Sequence, residues 1–374
     1  MKGDPAFQCT SCGACCARVQ GHYVESLKPY GGVRVDGSCA NYDRWTRECM
    51  IYETRPDICR VEKICPTGLD MQDHFDWVEQ YCDEAHMDVY KTERERGKDC
   101  DHERAEIRLQ FETTSTCNAA CHFCVYPQVA SMRRGNLMGM DLFKKIVDEA
   151  ATIPSIAVYS LQGLGEPLLD PTIVEKIKYI KDKDPNSRIE LFTNGVPATY
   201  QKLDALQEAG LNCIVFSLNA VNPEQHEKIM GLKGKFYQVC VSIEYATSLD
   251  WVVRVHGVED GKDFTLEDSA TFKAIWGDIC KPIGVGNWAG DKDYSYPNLK
   301  PNMACHRALG TIYVMYDGRV TMCCFDPTGK TIFGDLNTQT LRQIYSSDKY
   351  VKFREDHFND RADRYEQCAG CSRI

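Results

Sequence analysis

Apolar residues change rhythm twice along the chain. Across residues 107–286, short β-branched runs alternate with segments whose apolar residues recur every three or four positions. The runs at 107–114, 156–161, 188–193, 212–218, 251–255 and 279–286 have the length and content of buried strands. The segments at 141–152, 172–182, 198–209 and 223–230 carry the apolar stripe of amphipathic helices. Strand, helix and strand in alternation predict βαβ units and a parallel sheet. Six strands of this kind predict an α/β fold, a complete or incomplete barrel whose functional loops follow the carboxyl ends of the strands.

The flanks differ. Residues 1–80 show little periodicity and are rich in Gly, Pro, Asp and Arg, which predicts a loop-dominated fold organised by metal. Residues 81–106 run into the charged stretch KTERERGKDCDHERAEIR and read as a solvated helical linker. After 290 the βα rhythm stops. There TIYVMY, the Asp317-Gly318 turn and RVTMCC predict a β-hairpin. The expected organisation is therefore a metal domain at 1–80, a linker at 81–106, an α/β core at 107–290 and a small domain at 291–374.

Composition narrows the function classes. With 43% apolar and 26% charged residues in 374, wholesale disorder is excluded. No apolar run reaches 18 residues, and the first 20 residues show no secretory signal. The expectation is a cytoplasmic protein without a membrane partner. A net charge of −10 argues against nucleic acid, whose phosphates need basic surface. The outlier is 21 cysteines in a chain large enough not to need disulfide staples. In a reducing compartment, clustered cysteines bind metal or do chemistry.

The cysteines fall in three zones. Cys9, Cys12, Cys15, Cys16, Cys39, Cys49, Cys59 and Cys65 crowd the amino terminus. Cys117, Cys121 and Cys124 form C-x3-C-x2-C just beyond the first predicted strand. Cys305, Cys323, Cys324, Cys368 and Cys371 lie near the carboxyl end. Three thiolates on one loop fall one short of the four ligands of a structural zinc site. An iron–sulfur cluster held by three cysteines leaves one iron open.

The motif TSTCNAACHFCVYP resembles the radical S-adenosylmethionine (SAM) superfamily, with the aromatic Phe123 before the last cysteine. VYSLQGLGEPLL at the second strand end is similar to that family's Gly-Glu motif at Gly165 and Glu166; LFTNG and VFSLNA are similar to its third and fourth strand ends. The resemblance implies a partial (β/α)6 barrel. It further implies that Cys117, Cys121 and Cys124 hold a 4Fe–4S cluster whose open iron takes the amino and carboxylate groups of SAM. Glu166 would accept a hydrogen bond from the SAM ammonium, and Gly165 would admit close backbone approach. Phe123, Gly163 and Asn194 would also border the cofactor. Ser217 and Asn219 would meet the ribose. Arg254 would pair with the SAM carboxylate or serve as a structural arginine.

The carboxyl-terminal pattern resembles the twitch form of the SPASM auxiliary domain, here a β-hairpin plus helix. That resemblance implies an auxiliary 4Fe–4S cluster on Cys305, Cys323, Cys368 and Cys371, with zinc as the rival metal and Cys324 as a neighbour. The amino-terminal pattern resembles a CxxCxxCC zinc- or iron-chelate-binding family. It implies one or two iron–sulfur or zinc sites, acting as an electron relay, a scaffold or a substrate gate. Six cysteines remain: Cys82, Cys100, Cys213, Cys240, Cys280 and Cys324. Cys213 and Cys280, in predicted barrel strands, are candidate hydrogen-atom donors.

Together these resemblances imply reductive SAM cleavage to a 5′-deoxyadenosyl radical, then dehydrogenation of a hydroxyl-bearing small molecule such as a sugar or aminocyclitol. The auxiliary cluster would accept an electron, and an external donor such as flavodoxin or ferredoxin would supply one. The alternatives are epimerisation with a cysteine donor, crosslinking or epimerisation of a peptide, and a non-enzymatic iron–sulfur carrier or sensor.

Overall fold

The computed structural model describes residues 42–43, 48–49, 107–133, 135–286, 288, 305–358, 361–369 and 371. The expected metal domain, with Cys9, Cys12, Cys15, Cys16, Cys39, Cys59 and Cys65, lies outside them, as does the linker. Of that region only two strands are described, Tyr42–Asp43 (β1) and Glu48–Cys49 (β2), paired antiparallel with Tyr42 opposite Cys49.

The second unit begins at Ile107. Its six core strands are Ile107–Phe111 (β3), Ile156–Leu161 (β4), Arg188–Thr193 (β5), Cys213–Ser217 (β6), Val252–Glu259 (β7) and Cys280–Gly284 (β8). They pair in parallel, in sequence order. Helices Tyr126–Arg133 (α1), Met140–Ala150 (α2), Ile173–Lys183 (α3), Tyr200–Glu208 (α4), Pro223–Met230 (α5), Phe236–Thr247 (α6) and Leu266–Trp276 (α7) connect them. This is the expected (β/α)6 arrangement.

Partners in a parallel ladder share a face. One row, Phe111, Leu161, Leu191, Ile214 and Val253, faces the helices. Phe111 meets Phe143 of α2 at 5.0 Å between rings. The opposite face carries Gln110, Ser160, Glu190 and Cys213 in one row and Phe192, Val215 and Arg254 in another. The face away from the helices is therefore the inner one, and its row of Gln110, Ser160 and Glu190 is polar.

Local signals explain the boundaries. Helix α5 starts with the Asn222 side chain accepting from the Gln225 N–H, and Pro223 occupies its first turn. It stops at Gly231, whose φ of +66° suits glycine. Strand β7 runs four residues past the expected 255, because alternation persists through HGVE. Gly257 is tolerated there: the Phe264 ring packs 2.6 Å from where a Cβ would stand.

The small domain adds Thr311–Val314 (β9), Arg319–Thr321 (β10) and Ile332–Asp335 (β11) to the same sheet, in the order β11-β10-β9-β3. Strand β9 runs parallel to β3, and β10 returns antiparallel through the predicted Asp-Gly turn, with Gly318 at φ +91°. Helices His306–Gly310 (α8), Leu341–Tyr345 (α9), Asp348–Phe358 (α10) and Glu366–Ala369 (α11) complete it. Its core stacks Phe333 on Tyr350 at 4.2 Å. No described helix is long and apolar enough to cross a membrane.

Candidate active site

The loop after β3 carries Cys117, Cys121 and Cys124. Backbone bonds fix it. Ala120 and His122 donate N–H groups to the carbonyls of Met230 and Ile229, so the loop caps the carboxyl end of α5. The Tyr126 hydroxyl accepts from the Cys117 N–H at 2.9 Å. His122 pairs with Asp260 at 2.8 Å, tying the loop to the end of β7.

The three thiols converge. Burial, then the nearby charges of Glu166 and Cys124, push the Cys117 thiol up to about 12. Burial and the charges of Cys124 and Cys117 push Cys121 up as well. Close, desolvated thiols that repel one another as thiolates form a donor set that a cationic group would relieve. This chemistry fits a cluster bound by three cysteines.

Glu166 stands beside them, 3% exposed. Its carboxylate accepts from the Asn194 N–H at 2.7 Å, the Thr193 hydroxyl at 2.7 Å and the Leu168 N–H at 3.0 Å. Burial nevertheless pushes its pKa up to about 7, against those three bonds. Among the described residues it has no ion-pair partner. Gly165 makes this placement possible. A Cβ there would stand 2.1 Å from the Thr114 carbonyl oxygen, so only glycine lets the loop lie against Thr114 and Thr116. The Glu166 N–H then reaches the Thr116 carbonyl at 2.8 Å. Gly163 packs likewise, with a Cβ position 2.6 Å from Glu112. Gly165 acts by backbone-to-backbone approach, whereas Gly163 makes room for the Glu112 side chain.

Other expected residues take varied places. Asn194 donates from Nδ2 to Asn118 of the cysteine loop at 2.7 Å and accepts from the Val196 N–H, linking the third strand end to that loop. The Phe123 carbonyl accepts from Trp288 Nε1–H at 2.8 Å. Ser217 ends β6, opposite His256. Asn219, at φ +55°, accepts from the Val258 N–H and directs Nδ2 to the Met230 sulfur, so its side chain braces strand ends. Arg254 lies on the inner face in mid-strand, among Cys213 and His256.

Cys213 and Cys280 are not brought to this loop. Each is the first residue of its strand, whereas the cysteine loop and Glu166 sit at strand carboxyl ends. Cys213 is on the inner face beside Glu190, about 13 Å of strand from that end. Cys280 shares a row with Phe216 and Val255, both fully buried toward the helices. Sequence reasoning missed Asn118, Tyr126, Thr193 and Met230. Only Tyr126, two residues beyond Cys124, offered a local signal.

The auxiliary cysteines also gather. Burial, then the charges of Cys324, Cys305 and Cys368, push the Cys323 thiol up. Burial and the charges of Cys305 and Cys371 push Cys368 up to about 12. Cys305 and Cys371 lie near enough to Cys323 or Cys368 for their charges to act there, a donor set that fits a metal group. Cys324 Sγ accepts from Arg307 Nη1 at 3.2 Å.

Comparisons with known proteins agree with the expected order of domains. Residues 111–265 match the model of the radical SAM superfamily, 305–372 that of an iron–sulfur cluster-binding (SPASM) domain, and 8–83 that of the CxxCxxCC zinc- or iron-chelating domain. A GTP 3′,8-cyclase of Desulforamulus reducens is 33% identical over 48% of this chain and 59% of its own length. The chain thus spans less than two thirds of that relative. An S-adenosyl-L-methionine-dependent 2-deoxy-scyllo-inosamine dehydrogenase of Niallia circulans is 22% identical over 71% of this chain and 92% of its own. Among solved structures, the complex of BtrN with AdoMet and 2-DOIA superposes with a TM-score of 0.52 at 20% identity, over 72% of this chain and 94% of that one.

Proposed function

We propose that this chain, whose residues 111–265 match the radical SAM superfamily, is a dehydrogenase of a hydroxyl-bearing small molecule such as a sugar or aminocyclitol. The observation that carries the reading is the second thiol site, Cys305, Cys323, Cys368 and Cys371, in a domain that extends the barrel sheet beside β3. The relative aligned over 71% of the chain is named as a dehydrogenase, which supports it.

The roles follow from placement. Cys117, Cys121 and Cys124 would hold a 4Fe–4S cluster with one open iron. Glu166, buried and without a cation among the described residues, would take the SAM ammonium. Ser217, at a strand carboxyl end, would meet a ribose hydroxyl. The bound cluster and SAM supply one hydrogen-abstracting radical per turnover. Oxidation to a carbonyl then requires the substrate to release one electron and one proton. Cys305, Cys323, Cys368 and Cys371 would hold the acceptor for that electron, and an external flavodoxin or ferredoxin would supply the initiating one. The inner-face row of Gln110, Ser160 and Glu190 would face the substrate.

The test is product analysis with reduced, cluster-loaded protein. 5′-Deoxyadenosine must form and disappear in Cys117→Ala. If cleavage persists in that variant, the site is misassigned. A new substrate carbonyl supports dehydrogenation, whereas solvent deuterium at carbon without a carbonyl supports epimerisation. A peptide product would replace the small-molecule reading.

A further inference from the structure

We propose that Arg307 tunes the auxiliary site, raising its affinity for an electron and so fitting it to act as acceptor. The proposal rests on the reading of Cys305, Cys323, Cys368 and Cys371 as an iron–sulfur site.

Arg307 lies in α8, two residues beyond Cys305. Its Nη1 donates to Cys324 Sγ at 3.2 Å, and its guanidinium covers the Phe325 ring at 5.0 Å. The charges that act on it are Cys324, Cys323 and Cys305. Its Nε is buried without a hydrogen-bond partner, and no carboxylate pairs with it among the described residues. A cation held partly out of water favours a nearby counter-charge. Here the sulfur site supplies it. An arginine keeps its charge at any relevant pH and sheds water more readily than a lysine.

The consequence is electrostatic. Adding an electron to an iron–sulfur group adds a negative charge, which a fixed nearby cation favours. Net charge and hydrogen bonds around the sulfurs set such potentials. At an effective dielectric of about 20, a unit charge several Å away changes an equilibrium by roughly tenfold to a hundredfold. A chain of contacts also links the guanidinium to the loop of Cys117, Cys121 and Cys124. The Phe325 ring beneath it meets Trp288 at 5.1 Å, and Trp288 donates to the Phe123 carbonyl between Cys121 and Cys124.

The test is a redox titration followed by electron paramagnetic resonance. It uses the full chain with Cys117, Cys121 and Cys124 replaced by Ala, reconstituted without oxygen. The signal lost in a further Cys305→Ala variant belongs to the auxiliary site. Arg307→Gln should make that site roughly tenfold or more harder to reduce, about 59 mV lower per tenfold for one electron. Arg307→Lys, which keeps the charge, should recover most of the shift. Equal potentials in wild type and Arg307→Gln overturn the proposal. Loss of the iron signal in Arg307→Gln also overturns it, because Arg307 would then serve assembly. Absence of redox-active iron from the auxiliary site before Arg307 is changed is a separate failure, that of the acceptor reading itself.

Discussion

Replacing Glu166 by Gln should separate what the residue costs the empty protein from what it gives the loaded one. Burial moves this carboxyl from 4.5 to about 7. A shift near 2.5 units at 1.36 kcal/mol each is roughly 3 kcal/mol of differential stability. The sign follows from the direction. A carboxyl raised on folding is unpenalised below its unfolded value, and the folded state loses stability as pH climbs from 4.5 through 7. Between pH 5 and 8 the ligand-free wild type should lose about 2–3 kcal/mol that Glu166→Gln keeps. The slope is the readout, because Gln offers one acceptor fewer and orphans a donor such as the Asn194 N–H. Denaturant unfolding at a series of pH values measures it. SAM binding should run the opposite way. The ionised fraction of Glu166 rises from about a tenth at pH 6 to about nine tenths at pH 8, so affinity should climb roughly tenfold. Calorimetry on cluster-loaded protein should show that climb in wild type and not in Glu166→Gln. Parallel pH profiles in both assays would refute a buried, cation-receiving carboxylate.

Other perturbations test neighbouring parts. Gly165→Ala would drive a Cβ to 2.1 Å from the Thr114 carbonyl; it should abolish 5′-deoxyadenosine formation, and wild-type turnover would disprove the packing role. Lys176 is fully buried and bonds Asp170 at 2.5 Å and the Met138 carbonyl at 2.8 Å. Lys176→Met strands the Asp170 carboxylate and should cost about 3–5 kcal/mol in denaturant unfolding. Cys305→Ala should leave SAM cleavage measurable while carbonyl product falls, so equal yields of 5′-deoxyadenosine and carbonyl product in that variant would dismiss the acceptor role. Cys324→Ala should retain auxiliary iron by elemental analysis, as expected of a neighbour held by Arg307 and not of a ligand.

The strands were legible because buried parallel strands are continuous apolar runs, and three of six matched within a residue at both ends. Helix α6 was not, since FYQVCVSIEYAT is rich in β-branched and aromatic residues that single-helix propensity disfavours; packing overrides that preference. Strand β11 was also missed. Its four residues, IFGD, are too short to show a period. The cysteine spacings and the Gly-Glu motif were readable because the ligands are close in sequence. The braces were not. Asn118 meets Asn194 across 76 positions, and Thr193 meets Glu166 across 27, so only the fold reveals either pair. Cys213 and Cys280 show the converse: presence in a barrel strand says nothing about which face or which end a side chain occupies.

The sheet itself bears on how the two thiol sites cooperate. Strand β9 pairs with β3 from Arg108 opposite Thr311 to Phe111 opposite Val314. The Glu112 N–H extends that ladder to the Val314 carbonyl at 2.9 Å. Beyond it, the buried Glu112 carboxylate accepts from Arg133 of α1 and from the Tyr316 N–H, while the Arg133 guanidinium covers the Tyr316 ring at 5.3 Å. Helix α1 begins two residues past Cys124, and Tyr316 precedes the hairpin turn that leads to Cys323. One buried ion pair therefore clamps the helix after the SAM-site cysteines to the hairpin of the auxiliary site, across a shared strand edge. A domain that docked and undocked would have to break that ladder and leave Glu112 buried without its cation, at several kcal/mol. The geometry favours a fixed separation between the two sites, which suits the passage of one electron in every turnover and not a carrier that moves.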